Sequence, residues 1–150
     1  MRGRNYEKKD CIFIAGPDTG LTKPCKLALQ DSKGNSKYRI FSYPSGMAAL
    51  NGYNALKRKD KGSVKLVIAD VSTLGGDGLM LNEKLREIGY EGRIILAAYE
   101  KIEGGKSIGF CSEDGPITHD EIKGMGADGV IRLPASEEEF LKMIKNFIQL

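Results

Sequence analysis

Asp70 closes the apolar run of KLVIADVSTLGGDG (65–78), and a glycine-rich stretch follows it. A carboxylate at the end of what reads as a fully buried strand is a place to look for chemistry. Other groups with reactive potential are few. EGGKS (103–107) echoes the end of a phosphate-binding loop, with Lys106 as its cation. Such a loop needs a glycine five residues before its Gly-Lys pair, and that position is Glu100. The segment also follows a strand without opening a helix. His119, a potential phosphodonor or acid–base group, falls in the first turn after Thr118 and reads as exposed. Cys11, Cys25 and Cys111 have no C-x-x-C spacing, so a zinc site would have to use all three together with the single histidine. They read instead as buried or half-buried thiols in a reducing cytoplasm. Asp77 reads as the cap of a helix, and Glu113 and Asp114 have no assignable role.

The elements that must position these groups follow from hydrophobic patterning. Five short runs recur at near-regular spacing: CIFIA (11–15), YRIFS (38–42), KLVIA (65–69), RIILA (93–97) and GVIRL (129–133). Most are continuously apolar, as parallel strands covered on both faces are. Between them, Leu21, Cys25, Ala28 and Leu29 share a helical face, with Pro24 tolerable in the first turn. SGMAALNGYNALKRK offers Ser45 as N-cap and Met47, Leu50, Ala55 and Leu56 as buried positions, with Gly52 weakening the helix. DGLMLNEKLREIGY places Leu81, Leu85 and Ile88 on one face and ends at Gly89. THDEIKGMGA has a capping box of Thr118 and Glu121. The last helix is capped by Ser136 and Glu139, and Phe140, Leu141, Ile144, Phe147 and Ile148 form its apolar stripe.

Strand and helix alternating five times give a three-layer αβα sandwich with right-handed crossovers. In such folds the site lies beyond the carboxyl ends of the strands. Asp70, Gly16 to Thr19, Ala97 to Tyr99, and Leu133 with Pro134 all belong there. The 99–117 connection is roughly ten residues longer than a βα unit needs, so it is a functional loop or an ordered surface excursion.

With 150 residues, 41% hydrophobic and 29% charged, the chain reads as one domain over 1–150, with residues 1–10 a solvated arm. No window approaches the ~18 apolar residues of a membrane span. A net charge of +3 is mild. The basic run LKRKDKG (56–62) reads as a solvated helix end, with no interleaved aromatics to suggest nucleic acid.

The five-fold order, LVIADVSTLGGDG and GADGVIRLPAS (126–136) together resemble the receiver domain of two-component response regulators, from about Cys11 to Leu150. The resemblance implies a flavodoxin-like five-stranded parallel sheet of order 2-1-3-4-5. It also implies phosphoryl transfer from a histidine to Asp70, with Mg²⁺, a lysine and a hydroxyl neutralising the charge. Only Asp70 matches that site. The acidic pair falls on Gly16 and Pro17, the hydroxyl on Ala97, the lysine on Leu133 and the switch aromatic on Val130.

Some neighbours could substitute. Asp18 could turn back as a metal ligand beside Asp70, or serve as a turn or cap residue. Asp10 belongs to the opposite end of the sheet. Arg132 points to the other face and carries a fork rather than a point charge. Lys101 and Lys106 could reach over the site, and Tyr99 could supply a hydroxyl or a ring.

Three readings follow. The first is an atypical receiver, not an enzyme, that binds a protein partner (a histidine kinase, phosphotransfer or output protein) with phosphorylation impaired or absent. The second is a working receiver phosphorylated on Asp70 with Mg²⁺. The third is a nucleotide-binding flavodoxin-like domain. Direct nucleic-acid or membrane binding is not expected, and the cytoplasm is the expected location.

Overall fold

The computed structural model describes residues 9–71, 77–112 and 115–150, apart from the side chain of Thr19. Residues 1–8 of the solvated arm, the Ser72–Gly76 part of the glycine-rich stretch, and Glu113 and Asp114 lie outside the described residues. Five strands of the sheet are mutually parallel: β1 (Cys11–Ala15), β2 (Arg39–Tyr43), β3 (Val64–Asp70), β4 (Arg93–Glu103) and β6 (Gly129–Leu133). Their spatial order is β2-β1-β3-β4-β6, so the parallel strands stand in the expected 2-1-3-4-5 arrangement.

Helices cover both faces. A π-helical turn (Asp18–Thr22) leads into α1 (Lys23–Leu29), which has Pro24 in its first turn and packs with α6 (Glu137–Lys145) on one face. Ile12, Ile14, Leu21, Cys25, Leu66, Ile68, Ile95, Ala97 and Phe140 fill the layer beneath them. α2 (Gly46–Ala55), α4 (Gly78–Glu87) and α5 (His119–Gly124) cover the other face over Phe13, Val67, Ala69, Leu81, Leu85, Leu96 and Phe110. Each large aliphatic side chain buried there contributes about 1.5–3 kcal/mol of transfer free energy.

The sheet has six strands rather than five, and it is mixed. Residues 99–117 are not an extended loop. β4 continues to Glu103, turns at Gly104 and Gly105, and returns as the antiparallel β5 (Lys106–Phe110). Both turn glycines have positive φ (57° and 77°), as a two-residue hairpin turn requires. EGGKS is therefore the tip of a hairpin, with no helix N-terminus to cradle a phosphate.

Three helix details also depart from the periodicity. Met47 and Ala55 are exposed, and Ala49 and Tyr53 form the buried stripe of α2 instead. Gly52 sits there because the Tyr43 ring packs against it, leaving a Cβ only 2.7 Å from the ring carbon Cζ. Ile88 is 49% exposed, since α4 ends one residue earlier and the chain leaves the helical face. The capping boxes of α5 and α6 form as the sequence implies, and Gly89 takes its positive φ after α4.

Candidate functional site

Alternation along the strands decides which side chains meet. Successive residues point to opposite faces, so Asp70 shares the α1/α6 face with Leu66 and Ile68. It pairs in register with Ala97, and Val71 N–H donates to the Ala97 carbonyl at 2.9 Å. On the same face stand Tyr99, in phase with Ala97, and Leu133, opposite Tyr99 on β6. Leu133 joins Pro134 through a cis peptide. The structure thus brings Asp70, Ala97, Tyr99 and Leu133 to one end of one face.

Asp70 is 2% exposed. The turn after β1 closes down on it. At Gly16 an added Cβ would stand 2.8 Å from Asp70 Cβ and 2.8 Å from Leu21 Cδ2. Its φ of +155° is also one that L side chains rarely adopt. Glycine here is required by the approach of the backbone to the carboxylate side chain. The chain then passes through Pro17 into the π-helical turn, whose last two amides, Leu21 N–H and Thr22 N–H, donate to the Pro17 carbonyl, both at 3.2 Å.

The substitutes scatter. Asp18 opens the π-helical turn and is exposed, lining an open depression with Gly16, Pro17, Thr22, Ser42, Tyr43 and Pro44. Tyr99 reaches furthest toward the site. Its hydroxyl lies 3.7 Å from where a Cβ on Gly20 would stand, so the ring crosses the end of β3 from β4 to the turn after β1. Lys101 and Lys106 belong to the hairpin and are exposed. Lys106 pairs with Glu103, six residues past Ala97, which is roughly 20 Å further along an extended strand. Arg132 faces the opposite way and pairs with Glu100 at 2.7 Å. Val130 packs against the core of that same opposite face.

These residues do not fit the divalent cation that the resemblance implies. An acidic side chain at position 16 would collide with Asp70 Cβ and Leu21 Cδ2. Among the described residues, no group of three His, Cys, Asp or Glu side chains could hold a metal ion.

Patterning did not reveal three features here. Asp77 occupies the N-cap position of α4 but does not cap it. Its carboxylate instead accepts from the Gly46 and Met47 N–H groups (the latter at 2.7 Å), so it caps α2 across the site. The second feature is the edge of β4 on which β5 lies. Ala97 and Tyr99 aim their carbonyls to the same edge, and these accept from Val71 and Cys111 respectively. Ile94 aims its carbonyl to the other edge, where Asp128 N–H donates at 2.8 Å. β5 therefore continues the β3 column and stands above the end of β3. The third is the floor of that column, Phe110, buried with Ile117 and Ile122 and stacked edge-on against His119 at 4.6 Å. His119 is exposed in the first turn of α5, as its position implies.

Comparison with known proteins agrees on the fold. No family model matches the chain. A probable transcriptional regulator, ycf29, of Porphyra purpurea is 34% identical over 119 residues, covering 78% of this chain and 51% of that protein. The chain thus spans about half the length of the curated relative it matches. The chemotaxis protein CheY4 of Vibrio cholerae superposes with a TM-score of 0.66 at 16% identity, over 93% of this chain and 99% of that one. A CheY-like receiver domain protein of Methanospirillum hungatei gives 0.63 at 19% identity, over 92% of each chain. Topology, the position of Asp70 at the end of β3 and these likenesses agree: the chain has the receiver fold of response regulators, with a hairpin inserted after its fourth parallel strand.

Proposed function

We propose that this chain is an atypical receiver domain in two-component-type signalling. It works as a protein-interaction module rather than an enzyme, with phosphorylation of Asp70 impaired or absent. The observation that carries this reading is the Gly16 backbone packed onto the Asp70 side chain, where the fold would otherwise hold acidic metal ligands. Ala97 and Leu133 add neither hydroxyl nor ammonium on that face, so a phosphoryl group would gain little of the neutralisation its transfer requires. Val130 gives no aromatic group to couple to such a change.

The partner is a histidine kinase, phosphotransfer protein or output protein of the cytoplasm. Its natural landing place is the β4–β5 hairpin, where Tyr99, Ile102 and Ile108 are 38%, 54% and 39% exposed. The likeness to a transcriptional regulator supports output to transcription, with any nucleic-acid contact made by a separate domain. No helix among the described residues is long and apolar enough to cross a membrane.

The test is incubation with acetyl phosphate, or beryllofluoride, plus Mg²⁺, followed by intact mass and amide chemical shifts. The expected result is no mass gain and no shift. A stoichiometric change that disappears in Asp70→Asn would overturn the reading and establish the alternative, a working receiver phosphorylated on Asp70.

A further inference from the structure

β4 outruns its neighbour β6. The two pair only as far as Tyr99↔Leu133, β4 runs on to Glu103, and no described strand lies on that edge past Tyr99. The opposite edge is filled by β5, with pairs from Glu100↔Phe110 to Glu103↔Lys106. Alternation decides which main-chain groups face which edge. The Tyr99 carbonyl accepts from Cys111 N–H on the β5 side, and Glu103 closes the two-residue hairpin turn with Lys106. The register shift in this pairing is taken up by an extra residue on β5, Ile108, so the phase of β4 is unbroken. Ile102 is out of phase with Tyr99 and Glu103, and it turns its N–H and carbonyl to the outer edge.

Such an edge is a template for one more strand. Its side chains name that strand, because Lys101, Ile102 and Glu103 are all exposed and form their own complement. Two copies paired antiparallel about Ile102 set the two Ile102 residues opposite each other, exchanging both main-chain hydrogen bonds. Lys101 of each copy then stands opposite Glu103 of the other, at the non-hydrogen-bonded positions where cross-strand side chains come closest. A slip of two residues, the smallest that keeps the hydrogen-bond phase, would set Lys101 against Lys101 or Glu103 against Glu103. The pairing ends at Gly104 and Gly105, which have open space around them and no side chain to meet the end of β6. The other exposed charge cluster, on the short helix α3 (Arg58–Lys61), is nearly all cationic and forms no such complement.

We propose that the outer edge of β4 over 101–103 is a self-association site, joining two copies of this chain as antiparallel strands about Ile102. The pairing does not depend on the chemistry at Asp70, and it leaves β5 on the other side of the hairpin. The test is a dilution series of the full chain at low salt, followed by amide chemical shifts and sedimentation equilibrium. A weak monomer–dimer equilibrium is expected, with shifts centred on 101–103 and the Ile102 amide slowed in hydrogen exchange. Ile102→Pro removes the outward N–H and none of the bonds to β5, and should abolish dimerisation. Lys101→Glu should weaken it by about tenfold, as should Glu103→Lys made together with Lys106→Glu to keep the hairpin's own pair opposite in sign. Each of these two variants repels its own copies, and an equimolar mixture of them should associate again. A chain monomeric throughout the series, charge variants that associate as the parent does, a mixture that fails to recover, or shifts centred on α5 and α6 would each overturn the proposal.

Discussion

At the amino end of the sheet one guanidinium, Arg86, donates to the Tyr90, Gly92 and Gly126 carbonyls at 2.8, 2.8 and 3.1 Å and to the Asp128 carboxylate at 2.9 Å. Asp128 in turn receives Ile94 N–H and Arg93. At the carboxyl end the strands bring Ala97, Tyr99 and Leu133, among the described residues, to the face of Asp70, and the backbone of Gly16 packs close to it. The amino-end network ties α4, the 90–92 turn and the start of β4 to Asp128, at the end of the sheet opposite Asp70. Among the described residues, the strand positions beside Asp70 on its face carry Ala97 and Leu133.

Breaking the amino end should have the largest effect. Arg86→Ala removes the side-chain donor to three carbonyls and one of the three donors to the partly buried Asp128 carboxylate, and should cost about 3 kcal/mol. The check is a lowered urea midpoint at unchanged m-value; a loss well below ~1 kcal/mol would show that the network is ornamental. At the carboxyl end, Gly16→Asp reinstates an acidic residue in name only. The clash with Asp70 Cβ and Leu21 and the positive φ should cost about 2 kcal/mol. Calorimetry should detect no Mg²⁺ binding in this variant, and a stable variant with Mg²⁺ affinity would undo the contrast between the ends. Removing the carboxylate that caps α2, in Asp77→Ala, should lower stability by about 1.5 kcal/mol, readable as loss of amide protection at Gly46 and Met47.

The smallest effect carries a pH signature. The Tyr90 hydroxyl donates to the Val64 carbonyl at 3.0 Å, and Tyr90→Phe should cost about 1 kcal/mol at neutral pH. Burial also pushes the Tyr90 phenol above its ordinary value near 10. Because the folded state has the higher pKa, stability is complete below about pH 10 and falls as pH rises beyond it. The Phe variant should therefore lose less stability between neutral and strongly alkaline pH than the parent chain. Equal losses would assign the alkaline effect to Tyr38, Tyr43 and Tyr53, whose phenols burial also raises.

Local rules made much of this legible. β1 matches its apolar run residue for residue, and Ser45, Thr118 and Ser136 each cap the helix that follows. Period and capping act within a few residues, so sequence alone contains them. The position of Asp70 at the end of β3 was legible for the same reason. What was hidden depends on distant partners. Asp77 looks like a cap for α4, yet it caps a helix 31 residues earlier, and nothing local separates the two. Arg86 looks like a surface residue of α4 until Asp128 and the 90–92 turn arrive beside it. The hairpin was obscured because EKIEGGKSIGF alternates weakly and its glycines serve a turn and a phosphate loop equally well.

β4 carries a mechanical consequence. It runs for 11 residues, roughly 35 Å, with β3 on its lower edge and β5 above on the same edge, and its pairing with β5 shifts register between Lys101 and Ile102. A single strand therefore joins the hairpin tip to Ile94, whose amide and carbonyl are both tied to Asp128. The tip is the long arm of a lever, and the ion pair of Glu100 with Arg132 is its brace against β6. A load applied at Ile102 or Ile108 would be felt at the amino end of the sheet through covalent backbone.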